Sequence, residues 1–138
     1  MSHVSKLIYR EINNLIPDLR KTKPLEKIDL NAYGFANIHL IVLESSPEEI
    51  IINLSHYSLV DKILVANPSV EIVIYPGKNS AEVVIYKDPH FTYQLITKDD
   101  YLNSNANSHV NRLVYEWLRE LRIWNCNKKG GVSTWLLQ

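Results

Sequence analysis

Apolar residues recur every three or four positions at the start of the chain, at Val4, Leu7, Ile8, Ile12, Leu15, Ile16 and Leu19. That spacing places them on one stripe of a helix. Pro17 removes a backbone donor and clashes with the turn before it, so the helix is expected over residues 3–16, with Ser2 as N-cap and "PDLRK" as a short further turn. From Ile28 the period shortens to two. In "FANIHLIVL" the residues Ala36, Ile38, Leu40 and Val42 share one face, opposite Asn37 and His39, and "EIIINLSHY" repeats the alternation through Ile50, Ile52 and Leu54. "ESSPEE" is the turn between them. "KILVAN" reads as a weaker strand, "SVEIVIY" and "AEVVIYK" flank the turn "PGKNS", and "DPH" leads into "FTYQLIT". Connections this short require antiparallel neighbours. The segments therefore predict a meander of about six strands.

"KDDYLNSNAN" is rich in turn formers and has no period, so it reads as a loop. Ser108 is then the expected cap of a second helix, whose apolar stripe runs through Val110, Leu113, Val114, Trp117, Leu118, Leu121 and Trp124. Burying each large side chain is worth about 1.5–3 kcal/mol, so this stripe must cover the sheet. Both helices are expected on one sheet face. The outcome is an α+β domain over residues 1–129, followed by a tail over residues 130–138.

Asn111 lies at the edge of that stripe, one position after its first apolar residue, with Tyr115 and Arg122 continuing the same flank. A place in the first helical turn, just after a loop full of backbone groups, suits its amide to tie the "YLNS" loop to the helix start. The alternative is ligand binding shared with Tyr101, Asn103 and Arg122.

Composition changes this picture little. The chain has 138 residues, 46% apolar and 22% charged, which is the ordinary globular range and enough for one core. Its single cysteine, Cys126, leaves no internal disulfide and fits a reducing compartment. No apolar run approaches a membrane span, and the start has no signal-peptide pattern. A cytoplasmic location is expected. Charge matters more. Net charge is zero, yet residues 1–23 carry five cations against two carboxylates and residues 112–138 do the same, a surplus of +3 at each end balanced by −6 between. The zero total argues against sequence-independent nucleic-acid binding, while leaving a local basic face through Arg112, Arg119, Arg122 and Lys128.

Candidate chemistry is sparse. With the first turn centred near residue 46, His39 pairs with about Asn53 and His56 with about Ala36, which separates the imidazoles by ~10 Å, too far to share a metal. His90 and His109 lack metal-ligand spacing. Cys126 sits near Lys128 and Lys129 but at a helix C-terminus, where the dipole opposes a thiolate. Ser45 and Ser46 lack a nucleophile-elbow setting, "YPGKNS" has too few glycines for a phosphate loop, and the acidic pairs Glu48–Glu49 and Asp99–Asp100 are sequence neighbours rather than facing carboxylates. Neither a metal nor a cofactor is expected.

Several short pieces together resemble one family: "LIP" at 15–17, "ES" at 44–45, "VEIVIY", "AEV" at 81–83, Tyr101 with Asn103, and "VNRLVYEWL". These are similar to the YqiB-like proteins of proteobacteria, a domain of unknown function, over about Leu7 to Trp124. Leu102 stands where that family usually has Pro, and Asn107 and His109 stand where it has Lys or Gln. The resemblance implies a bacterial chain and carries no activity.

The leading expectation is thus a non-enzymatic protein-interaction module. Its rival is a small-molecule binder or hydrolase with a site between the sheet and loop 98–107, using Tyr101, Asn103, His109 and Asn111, with Tyr115 and Arg122 beside them. Nucleic-acid binding through the basic helix face is third. The tail "GGVSTWLLQ" is apolar and β-prone after a glycine hinge, so Trp135, Leu136 and Leu137 are expected to dock, preferably on a sheet edge of a second copy to form a homodimer.

Overall fold

The computed structural model describes residues 3–30, 38–94 and 104–123. Helix α1 spans His3–Leu15, ending before Pro17, and a short 3-10 turn follows at Leu19–Lys21. Six strands come next: β1 (Lys27–Leu30), β2 (Ile38–Ser45), β3 (Ile50–Val60), β4 (Ile63–Tyr75), β5 (Ser80–Lys87) and β6 (Thr92–Gln94). Helix α2 (Ser104–Ile123) closes the described chain. The strands form one antiparallel sheet in the order β1-β2-β3-β4-β5-β6, the expected meander.

Cross-strand register explains the core. Ile28, Leu40, Leu54, Val70, Tyr86 and Tyr93 are successive partners across all six strands, and every one is buried. Val42, Ile52, Ile72 and Val83 form a second such row. Because side chains alternate faces along a strand, both rows project to the same side. There they join Ile8, Ile12 and Leu15 of α1 and Val110, Val114, Leu118 and Leu121 of α2 in one apolar cluster. The two helices pack on each other and on β5. Among the described residues no helix is long and apolar enough to cross a membrane.

The strand number agrees with expectation through two offsetting differences. "KIDL" is a strand of its own, and "KILVAN" joins "SVEIVIY" in the single long strand β4. Pro68, which has no backbone donor, lies between the two segments. It sits where the β3–β4 register shifts, between Ser55 and Tyr57, and no ladder donor is needed there. The β3–β4 turn is only Asp61-Lys62, both at positive φ, 49° and 68°. That is the geometry of a tight two-residue hairpin, achieved without the glycine that usually announces it.

α2 also differs. It starts at Ser104, so Ser108 is no cap and the expected loop is shorter by a helical turn. The Nδ2 of Asn107 donates to the Tyr93 hydroxyl at 2.7 Å, which fixes this first part of the helix to β6. The buried line runs through Val110, Asn111, Val114, Leu118 and Leu121, whereas Leu113 is exposed and Trp117 half-buried. Ser2, Ala36, Asn37, Trp124 and Cys126 lie outside the described residues.

Candidate functional site

Asn111 is 4% exposed and both ends of its amide are spent. Its Oδ1 accepts the backbone N–H of Val83 at 3.0 Å, and its Nδ2 donates to the carbonyl of Asn107, one turn earlier in α2, at 2.8 Å. The expected tie to the "YLNS" loop is replaced by a tie to strand β5. The cause is local: an extra residue in β5 shifts the β4–β5 register between Glu71 and Ile72, and Val83 lies beside that shift. A disturbed ladder needs an outside acceptor, and α2 supplies one. Since the helix begins earlier than expected, Asn111 and His109 lie in its second turn rather than its first.

Arg122 is likewise committed. Its Nε donates to both carboxylate oxygens of Glu11, at 2.7 and 2.9 Å, and Glu11 is 3% exposed. This buried carboxylate escaped the sequence reading, although a signal was present: Glu11 occupies a stripe position between Ile8 and Ile12, where a carboxylate requires a partner. Tyr115 is half-buried against the core and His109 is exposed. Tyr101, Asn103, Trp135, Leu136 and Leu137 lie outside the described residues. Of the expected set, then, the structure joins Asn111 and Arg122 to two separate structural partners, the Val83 amide and the Glu11 carboxylate.

The histidine geometry is corrected too. The β2–β3 loop closes between the Ser46 N–H and the Glu49 carbonyl, which centres the turn later than expected. His39 therefore faces Ser55, and His56 faces Ile38. The two imidazoles are neighbours in register but on opposite sheet faces, so they still hold no common ion. Among the described residues no three His, Cys, Asp or Glu side chains are grouped to hold a metal. His39 accompanies Asp29, Nδ1 to Oδ1 at 2.8 Å, with Ser55 as its partner on the next strand. Carboxylate, imidazole and hydroxyl thus lie in sequence across β1, β2 and β3, the order used for acyl transfer. Among the described residues the hydroxyl makes no hydrogen bond to the imidazole, so the relay from carboxylate to hydroxyl is not made. The arrangement is an exposed hydrogen-bonded pair of side chains on neighbouring strands.

The end of the β3–β4 hairpin is different in kind. The pairing of β2 with β3 ends at Ile38 and His56, and that of β5 with β4 ends at Lys87 and Ser69. Beyond them, residues 57–60 and 63–66 continue as a two-stranded arm, both of whose outer edges are unpaired among the described residues. Its tip pairs Leu59 with Leu64 and Val60 with Ile63, so it is apolar on both faces. Leu59 is 72%, Leu64 67% and Ile63 65% exposed. Along its β4 strand, Leu64 and Ala66 border an open groove of about 540 Å³ shared with His90 and Phe91 of the β5–β6 turn. From the sequence only "KILVAN" of this arm reads as a weaker strand of its own. The missed signal is "SLVDKILV", apolar on both sides of a two-residue turn.

Comparison with family models, with curated proteins and with solved structures yields no match.

Proposed function

We propose that this chain is a protein-interaction domain and that the β3–β4 arm is its contact surface. The observation that carries the reading is the concentration of Leu59, Val60, Ile63 and Leu64, all exposed, at one projecting tip. Scattered surface leucines need no explanation, but a contiguous apolar patch on a projecting element marks a contact site. The arm's outer edges, unpaired among the described residues, add N–H and C=O groups that a partner strand can satisfy while its side chains cover the apolar tip. Neither the hydrolase reading nor nucleic-acid binding through α2 has equal support, because Asn111 and Arg122 are engaged inside the fold and Arg112 faces Glu116 at 3.9 Å.

The same edges, unpaired among the described residues, also favour a second reading, self-association in which "VSTWLLQ" of another copy adds as a strand. One experiment separates the two. A photo-crosslinking side chain at position 64 of the full chain, with the same group at position 119 as control, is exposed to native lysate and, separately, to purified protein alone. A defined partner captured only from position 64, reconstituted with purified components and lost with Leu59→Glu, supports the arm as a partner surface. Crosslinking of purified protein to itself, abolished by truncation after Lys129, selects self-association. Equal capture from positions 64 and 119 refutes both.

A further inference from the structure

We infer that the chain carries a separate binding site for a small phosphate-bearing anion, in the cleft between α1 and the β4–β5 turn. Lys6, Tyr9, Arg10 and Asn13 of α1 form one wall, and Lys78 and Asn79 of the turn form the other, around a cavity of about 540 Å³. Lys6 and Arg10 are four residues apart on one helix face, where like charges repel. Lys78 brings a third cation from a distant part of the sequence. No carboxylate lines the cleft, and none of the three cations makes a salt bridge among the described residues. The nearest acid in sequence, Glu11, is buried and held by Arg122.

Solvated lysines on a helix surface ordinarily mean nothing. Here a built wall faces them. Arg20 donates to the Pro76 carbonyl at 3.1 Å, which fastens the turn to the segment following α1. Within the turn, Asn79 takes a left-handed conformation and its N–H donates back to Pro76 at 3.3 Å, while the Lys78 ammonium lies 5.7 Å from the centre of the Tyr75 ring. The cations therefore stand on both walls of one open concavity, Lys6 and Arg10 on the helix and Lys78 on the turn. A phosphate group is the ligand chemistry that answers this: guanidinium and ammonium match its charge, and the asparagine amides add neutral donors. The cavity volume falls in the range of small-molecule sites. The cleft and the arm lie at opposite ends of the 13-residue strand β4, roughly 40 Å apart at ~3.3 Å per residue, so the two sites are testable independently.

Pyrophosphate titrated into the full chain, followed by amide chemical shifts, is the test. Saturable shifts centred on Lys6, Arg10 and Asn79 are expected, with Arg10→Gln or Lys78→Gln weakening binding by about tenfold and Arg119→Gln and Leu59→Glu leaving it unchanged. Circular dichroism of each variant verifies folding. The inference fails if pyrophosphate produces no localised shifts at millimolar concentration, or if Arg119→Gln weakens binding as much as Lys78→Gln. It also fails if a short single-stranded oligonucleotide binds more tightly than pyrophosphate, which would assign the cleft to a nucleic-acid backbone.

Discussion

The Nε–H of Arg122 is shared between the two carboxylate oxygens of Glu11, at 2.7 and 2.9 Å, joining residues 111 positions apart. Glu11 is buried and Arg122 half-exposed, so removing only the arginine strands a carboxylate in the core. Arg122→Leu should therefore cost about 2–3 kcal/mol. Replacing both residues by leucine should restore most of the loss, because a well-packed apolar pair avoids the desolvation of two charges. Urea unfolding of the two single variants and the double variant checks this. Equal destabilisation by the single and double variants would show that the pair contributes packing rather than charge compensation.

Asn111→Ala leaves the Val83 N–H without an acceptor in a buried place. The expected cost is about 1–3 kcal/mol. Hydrogen exchange gives the sharper readout: the Val83 amide should lose protection, more than amides of β2. Unchanged exchange at Val83 would mean that another acceptor replaces the asparagine.

The Tyr86 hydroxyl donates to Asp88 at 2.6 Å. This bond holds the Asp88 carboxyl below its ordinary range, while burial, followed by the same bond, pushes the Tyr86 phenol up. On acidification the unfolded Asp88 takes up its proton first, so its contribution is complete above the ordinary aspartate value of about 3.9 and is lost as pH falls through the depressed one. On the alkaline side the unfolded phenol ionises first, and stability should fall above about pH 10. Asp88→Asn should flatten the acid limb of stability against pH. An acid limb identical to wild type would dismiss the pairing as a stabilising contact.

Glu71 has the opposite sign. It stands opposite Asn53 and Ile85 on the sheet face away from the helices, and burial raises its pKa. The folded chain therefore binds its proton more readily than the unfolded chain, and this group makes stability rise as pH falls into the carboxylate range. Glu71→Thr should stabilise at neutral pH by about 0.2–1 kcal/mol through better cross-strand packing and should remove that acid-side gain. A lower melting temperature at neutral pH would contradict this account.

Legibility followed the strength of each local signal. α1 was readable because its stripe and Pro17 agree, and the meander because short turns permit no other pairing. Lys27–Leu30 escaped because four residues give alternation too little length. The unity of β4 escaped because Pro68 looks like a terminator unless the register shift opposite it is known. At Ser104 the side chains that start a helix are the ones that build loops, and only the bond between Asn107 and Tyr93 distinguishes the two uses. Asn111 was recognised as unusual from its place beside the stripe. Its acceptor role was not, since Val83 becomes a needy donor only through a distortion in another strand. The arm and the basic cleft depend on where neighbouring strands stop and on which turn faces which helix, and no window of sequence contains that.

The meander and the helix pair imply a sequence of events in time. Each hairpin joins segments that are adjacent in the chain, so the sheet has low contact order and its closure entropy is small. The contact between Glu11 and Arg122 instead encloses the entire sheet-forming segment. Helix docking should come after the central hairpins in the folding reaction, with the clamp still open at the rate-limiting barrier. Arg122→Leu should then accelerate unfolding while leaving refolding nearly unchanged, and the molecule's lifetime in the native state would be governed by a contact that plays no part in its formation.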